Sequence, residues 1–124
     1  MKKIKKSIYL ISPQNIENDK FFKDLDLVLK TKKISHFQLR LKKKSLKKII
    51  SIGKKIKKIC KKNKVKFIVN DNPIIAKKIG ADGCHIGQSD GSIQSARNIL
   101  KNKIVGVTCH NSIKLIKKAS SKGA

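Results

Sequence analysis

A strand–helix–strand unit within residues 66–90 constrains the fold of this chain more than any other stretch. The apolar runs at 67–69 and 83–87 each end in polar residues, which is typical of buried parallel strands. A proline at the start and a glycine just past the end predict a helix over 73–79 between them. Because such a crossover makes two strands of one sheet run parallel, both strands end at the same edge of the sheet.

An aspartate follows each of these strands. Asp71 comes directly after the first strand and Asp90 closely follows the second, so we expect both carboxylates at the edge where α/β folds bind ligands. Close carboxylates repel unless a cation lies between them, and Mg²⁺ takes one or two carboxylates together with substrate phosphates. The pair indicates a magnesium–phosphate site, although a plain turn at 70–73 and a helix cap at 89–91 fit these residues equally well.

The rest of the chain repeats the same alternation and predicts a single α/β domain over residues 1–124. The predicted strands are 7–12, 36–40, 67–69, 83–87 and 104–109, and the predicted helices are about 20–30, 45–62, 73–79, 92–100 and 112–122. We expect Asn18 and Asp19 to cap the first helix, and Leu46 to open the buried stripe of the second. The pattern alone does not decide between an open doubly wound sheet and the first five units of a (β/α)₈ TIM barrel, a fold of at least about 200 residues.

Polar residues also end the second and fifth strands. With a period of two, Gln38, Arg40 and Lys42 point to one side of the second strand while Leu41 points to the other. Arg40 is informative because a planar guanidinium matches phosphate oxygens bidentately in a chain that otherwise uses lysine. Lys42 begins a lysine run, so a merely solvated side chain fits it as well. Thr108 places a hydroxyl at the end of the fifth strand.

The net charge of +25 would ordinarily indicate a nucleic acid or an anionic membrane as partner. Only two of the 32 basic residues are arginine, however, and aromatic residues make up 4% of the chain, whereas nucleic-acid surfaces depend on both. We therefore interpret the lysines as solvated helix faces and expect no specific nucleic-acid partner. No apolar run approaches the roughly 20 residues that span a bilayer, so we expect no membrane segment.

The three cysteines form no CxxC pair, and two of them, Cys84 and Cys109, fall in predicted strands. They are typical of buried thiols in a reducing cytosol, which predicts a cytoplasmic protein. The sequence does not indicate an oligomeric state.

Three segments together resemble the thiamine-phosphate synthase family: QLRLK at 38–42, IVNDNPIIAKKIGADGCHIGQSD at 68–90, and GVTCHN at 106–111. The resemblance covers the chain from about residue 7 to 124. It implies a TIM barrel and a transferase that joins hydroxymethylpyrimidine diphosphate to thiazole phosphate, releasing pyrophosphate with the help of Mg²⁺.

The resemblance also implies roles for individual residues. Gln38, Arg40 and Lys42 would hold the pyrimidine diphosphate with Asn70, and Thr108 would supply a hydroxyl where the family often has serine. Asp71 and Asp90 would be the magnesium ligands. Leu41 departs from the glutamate that the family usually carries, but it faces away from the site, so we expect little effect on binding.

The family continues beyond the position of Ala124 with a sixth strand and with loops that hold the thiazole phosphate. The resemblance therefore implies an N-terminal fragment with five of eight units, and we expect residues 1–124 alone to be inactive. Two alternatives remain open. One is the related thiazole tautomerase, which has a histidine near the position of His110 but is not expected to carry the second aspartate, and the other is a basic nucleic-acid-binding module.

Overall fold

The computed structural model describes residues 5–89 and 91–124, which fold into five strand–helix units. The strands are β1 (Ile8–Ile11), β2 (Ile34–Leu39), β3 (Lys66–Asn70), β4 (Gly83–Ile86) and β5 (Ile104–Val107). The helices are α1 (Lys20–Leu29), α2 (Leu46–Lys62), α3 (Pro73–Ile79), α4 (Ile93–Leu100) and α5 (Ile113–Ser121). The predicted alternation is confirmed. Within the described ranges, no helix is both long and apolar enough to cross a membrane.

The five strands form one parallel sheet in the order β1-β2-β3-β4-β5. This order never reverses, whereas a doubly wound sheet has a reversal point, so the open doubly wound arrangement is not the observed one. Successive helices pack side by side, α1 on α2, α2 on α3 and α3 on α4. All five strands therefore end along one side of the sheet, which we call the carboxyl edge.

Alternation along the strands separates a helix-covered face from an open face. On the helix-covered face, Phe37, Phe67, Leu39 and Val69 are at most 2% exposed, and Ile56 of α2 is fully buried with them. Fully burying one side chain of this size stabilises a fold by roughly 1.5–3 kcal/mol. The residues between them, which point to the other face, are thereby held at fixed positions on a rigid sheet.

Four of the five helices begin at a residue whose side chain caps the first turn. The side chains of Ser45, Asn72, Ser92 and Ser112 accept hydrogen bonds from the first-turn amides of α2, α3, α4 and α5. At α1 the side chain of Asp19 makes no capping hydrogen bond. The amide of Lys20 donates instead to the side-chain oxygen of Asn18 at 3.2 Å, so of the two predicted caps Asn18 is the one that acts.

Two other sequence-based expectations were wrong. Leu46 is 50% exposed, because it is the first residue of α2, and the first buried residue of that helix is Ile52. Cys109 is only partly buried and follows β5 instead of lying within it. Strand pairing stops earlier because β4 itself ends at Ile86, whose carbonyl accepts from the amide of Thr108 at 3.0 Å. Cys60 and Cys84 are buried as expected.

Gly83 of β4 has no room for a side chain beside β5. A Cβ atom at this position would lie 2.6 Å from the Cβ of Ile104 and closer still to its carbonyl oxygen. Because that neighbour is main chain in a paired strand, it cannot turn aside.

We therefore expect Gly83→Ala to lower the free energy of unfolding by about 1–3 kcal/mol, the range for overpacked cores. Urea denaturation measures this change. Gln94→Ala, at an exposed position of α4, is the control, and equal midpoints for the two variants would contradict the packing described for Gly83.

Candidate functional site

A pocket of about 540 Å³ opens at the carboxyl edge, which is within the usual size range for small-molecule sites. We call it the carboxyl-edge pocket. It is lined by Tyr9, Ile11, Gln38, Arg40, Lys42, Asn70, Asp71, His85, Gly87 and Thr108. All five residues predicted to bind substrate are among them, together with one of the two predicted metal ligands.

The end of β2 places Gln38, Arg40 and Lys42 on one side of the pocket, as strand alternation predicts. Gln38 is 3% exposed, and its side-chain amide donates to the hydroxyl of Tyr9 at 2.9 Å. The main-chain amide of Arg40 donates to Ser12 Oγ at 2.9 Å. These contacts fix the backbone of β2 against the end of β1, so that the exposed guanidinium extends from an anchored segment.

Asp71 has an unusual backbone conformation. Its φ of 69° lies in the left-handed region, which aspartate tolerates better than most residues but which is uncommon outside glycine. Its amide donates to the carbonyl of His85 at 2.7 Å, and the next residue, Asn72, caps α3. The left-handed turn thus directs the carboxylate into the pocket just before the helix begins. Its Oδ2 lies 3.5 Å from the ammonium of Lys42.

His85 and Thr108 form the far wall of the pocket. His85 Nε2 and Thr108 Oγ1 are 2.8 Å apart, within hydrogen-bond distance. Gly106 makes room for the imidazole, because a Cβ there would lie 2.7 Å from His85 Nδ1. The side-chain amide of Gln88 donates to the carbonyl of Thr108 at 2.6 Å and ties the loop after β4 to the end of β5.

Burial lowers the pKa of His85, and the positive charge of Arg40 lowers it further, while the negative charge of Asp71 partly opposes both. The imidazole is therefore held in its neutral form beside Thr108. Burial likewise raises the pKa of Tyr9, whose ring also stacks on His36 with centroids 5.6 Å apart.

Four further residues line the pocket that no sequence pattern predicted: Tyr9, Ile11, His85 and Gly87. The strand register could have revealed three of them. Ile11 pairs with Gln38, and Asn70 pairs with His85 in the adjacent strand, so these side chains share a face with the predicted residues. Tyr9 lies two residues before Ile11 and shares that face by alternation.

The predicted magnesium site is described only in part. Asp90 lies outside the described residues, so the expected approach of the two carboxylates stays a prediction. Within the described ranges, no group of three His, Cys, Asp or Glu side chains could hold a metal ion. Mg²⁺ takes one or two carboxylates and completes its coordination with water and phosphate oxygens. The carboxylate of Asp71 is 39% exposed in the pocket, so it is accessible to such an ion.

Comparison with known proteins places these features in a family. Residues 8–124 match the family model for thiamine monophosphate synthase. The chain belongs to the thiamine monophosphate synthase family. This membership confirms the resemblance carried by the three sequence segments. It also means that the carboxyl-edge pocket, which is lined by residues of all three segments together with β1, is the pocket of a family member.

Individual members of the thiamine monophosphate synthase family are similar over nearly all of this chain. The thiamine-phosphate synthase of Pelagibacter ubique is 62% identical over 120 residues, covering 97% of this chain and 58% of that protein. The thiamine-phosphate synthase of Fusobacterium nucleatum is 40% identical over 119 residues, covering 94% and 57%. Thiamine phosphate pyrophosphorylase from Pyrococcus furiosus superposes with a TM-score of 0.84 at 25% identity, covering 97% and 57%. The chain thus spans somewhat less than three fifths of these relatives.

The pKa of His85 generates a testable pH dependence. The folded-state pKa lies below the ordinary value of 6.5. At pH values between the two, the imidazole therefore binds a proton in the unfolded chain but not in the folded chain. Stability contributed by the neutral imidazole is therefore present above about pH 6.5 and is lost as the pH falls below it.

We expect wild type to lose stability between about pH 7.5 and about pH 5.5, and His85→Gln to lose less, because glutamine does not titrate. Urea denaturation at the two pH values measures this difference. His110→Gln, at an exposed loop position, is the control and should retain the wild-type dependence. Identical pH dependence in wild type and His85→Gln would show that His85 does not contribute.

Proposed function

We propose that this chain supplies the pyrimidine diphosphate site of a thiamine-phosphate synthase: its carboxyl-edge pocket holds the diphosphate of hydroxymethylpyrimidine diphosphate, and residues 1–124 alone do not complete the reaction. The observation that carries the proposal is the meeting of Arg40, Lys42, Asn70 and Asp71 in one pocket of a family member. Two cations and an amide are suited to phosphate oxygens, and the carboxylate is suited to a magnesium ion that the same oxygens would share. Thiazole phosphate is the second substrate in this proposal.

Arg40 is the residue best suited to a diphosphate. Its guanidinium can donate two parallel hydrogen bonds to phosphate oxygens, which an ammonium cannot do. It is exposed at the rim of the pocket, and within residues 5–89 and 91–124 it takes part in no ion pair. The donors of Arg40 are therefore not committed to a carboxylate of the described chain and can be directed to a ligand.

The mechanism that we propose is a substitution at the pyrimidine methylene. The C–O bond to the diphosphate breaks, the methylene becomes cation-like, and the thiazole nitrogen donates its electron pair to form the new C–N bond. Arg40 and Lys42 stabilise the negative charge that develops on the leaving pyrophosphate. Mg²⁺ held by Asp71 and Asp90 would supply further positive charge there. No protein nucleophile is required. Gln38, Asn70 and Thr108 would orient the pyrimidine substrate.

We also propose that the five units are the first five of a (β/α)₈ barrel. The strand order without a reversal supports this assignment, as does the close superposition on part of the Pyrococcus protein. We also propose a cytoplasmic location, because the three cysteines form no disulfide.

The two alternatives predict different behaviour from the same pocket. A nucleic-acid-binding module would bind DNA through its many lysines, with an affinity that falls steeply with salt and does not depend on Arg40. A thiazole tautomerase would not need the diphosphate contacts of Arg40 and Lys42. The names of the relatives at 62% and 40% identity favour the synthase.

We expect Arg40→Lys and Asp71→Asn each to lower kcat/KM for the pyrimidine substrate by about 100-fold in the full-length gene product. The first removes bidentate contacts and the second a metal ligand. Steady-state release of pyrophosphate at limiting Mg²⁺ measures the loss.

Arg97→Lys and Asp24→Asn are the matched controls. They make the same chemical changes outside the pocket. Arg97→Lys changes a guanidinium that donates to main-chain carbonyls, and Asp24→Asn changes the carboxylate of an exposed ion pair with Lys20. Wild-type kinetics in either pocket variant would overturn the role proposed for that residue.

A further inference from the structure

Lys42 and Asp71 form an ion pair inside the carboxyl-edge pocket. The ammonium of Lys42 lies 3.5 Å from Asp71 Oδ2, and each side chain is 39% exposed. Among the residues that the structure describes, Asp71 is the carboxylate that lines this pocket. The ammonium of Lys42 thus lies beside the proposed metal ligand, Asp71, and also faces the carboxyl-edge pocket, where we propose that the diphosphate binds.

We propose that Lys42 is an exchangeable counter-ion: it neutralises Asp71 before the metal binds and moves to the diphosphate when the metal takes its place. Binding of the metal and of the diphosphate would then be coupled. Metal binding at Asp71 releases the ammonium of Lys42 for the diphosphate, and a bound diphosphate draws the ammonium away from Asp71 and so frees the carboxylate for the metal. This inference rests on the proposed function and adds to it a second role for Lys42.

The main-chain contacts allow the Lys42 side chain to move while Asp71 stays in place. The amide of Lys42 donates to the carbonyl of Gln14 at 3.4 Å, so its backbone is held at the rim. Asp71 is fixed by its bond to the carbonyl of His85 and by the start of α3 immediately after it. The flexible four-carbon stem of a lysine suits this exchange, in which only the ammonium changes partners.

The strength of the pair also suits an exchangeable contact. Half-exposed ion pairs at this separation change an equilibrium by at most about fivefold. A divalent cation that shares a substrate phosphate can displace such a partner readily. The displaced ammonium and the metal repel each other until a diphosphate lies between them, so metal binding alone is weakened and joint binding is favoured. By thermodynamic linkage, the diphosphate must favour the metal by the same factor.

The test compares wild type with Lys42→Met in the full chain, using Mn²⁺ as the spectroscopic substitute for Mg²⁺ and inorganic pyrophosphate as the diphosphate. Electron paramagnetic resonance measures free Mn²⁺, and calorimetry measures pyrophosphate binding at saturating metal. We expect Lys42→Met to bind Mn²⁺ alone about two- to fivefold more tightly, because the competing cation is gone. We expect it to bind pyrophosphate with metal about tenfold more weakly.

These opposite signs distinguish the exchange from simpler roles. Lys43→Met is the control, because it removes the same charge at the next residue, which does not line the pocket. If Lys42→Met binds Mn²⁺ alone no better than wild type and Lys43→Met, the counter-ion role is overturned. Lys42→Gln provides a second neutral variant if the methionine variant folds poorly by circular dichroism.

The proposed function can fail separately in the same experiment. Wild type that binds Mn²⁺ but not pyrophosphate would overturn the diphosphate pocket, while the metal-only comparison would still decide whether Lys42 competes for Asp71. If wild type binds neither, both proposals are overturned.

Discussion

The parallel pairing of β3 with β2 on one side and β4 on the other is the constraint on which the pocket depends. The buried residues Phe67 and Val69 fix β3 in the core, and Ile68 pairs with Gln38 in one neighbour and with Gly83 in the other. This register brings the end of β2, the turn after β3 and the end of β4 to one edge. A shift of one residue would turn every polar side chain of a strand toward the helices.

Two local features position side chains that the sheet brings to the carboxyl edge. The left-handed conformation of Asp71 turns its carboxylate into the pocket directly before α3 starts. The absence of a side chain at Gly106 gives the imidazole of His85 its position beside Thr108. Both features lie near the carboxyl edge, where parallel α/β proteins concentrate function.

Patterns local to one segment were predictable from the sequence, whereas contacts between segments were not. Helix α3 was predicted with its exact bounds, because proline and glycine mark both ends, and the shared side of Gln38, Arg40 and Lys42 follows from strand alternation alone. The contribution of His85 depends on its register against the neighbouring strand, which no local pattern specifies.

The net charge of +25 makes the location of anion binding the central question. A second hollow at the opposite, amino-terminal edge is lined by Lys57, Lys61, Lys64 and Lys66, so lysine alone does not distinguish the two ends. That hollow also contains Asp82, whose Oδ2 accepts from the amide of Phe67 at 2.7 Å. The guanidinium of Arg40 therefore distinguishes the carboxyl edge, together with the carboxylate of Asp71 directed into the pocket.

Amide chemical-shift mapping with inorganic pyrophosphate and Mg²⁺ tests this account most directly. The account predicts that the largest shifts occur at residues 38–42, 70–71, 87–88 and 108, and that they persist as salt is raised. Largest shifts at the lysine-lined hollow of the amino-terminal edge, or shifts spread over the lysine-rich helices and abolished by salt, would contradict it.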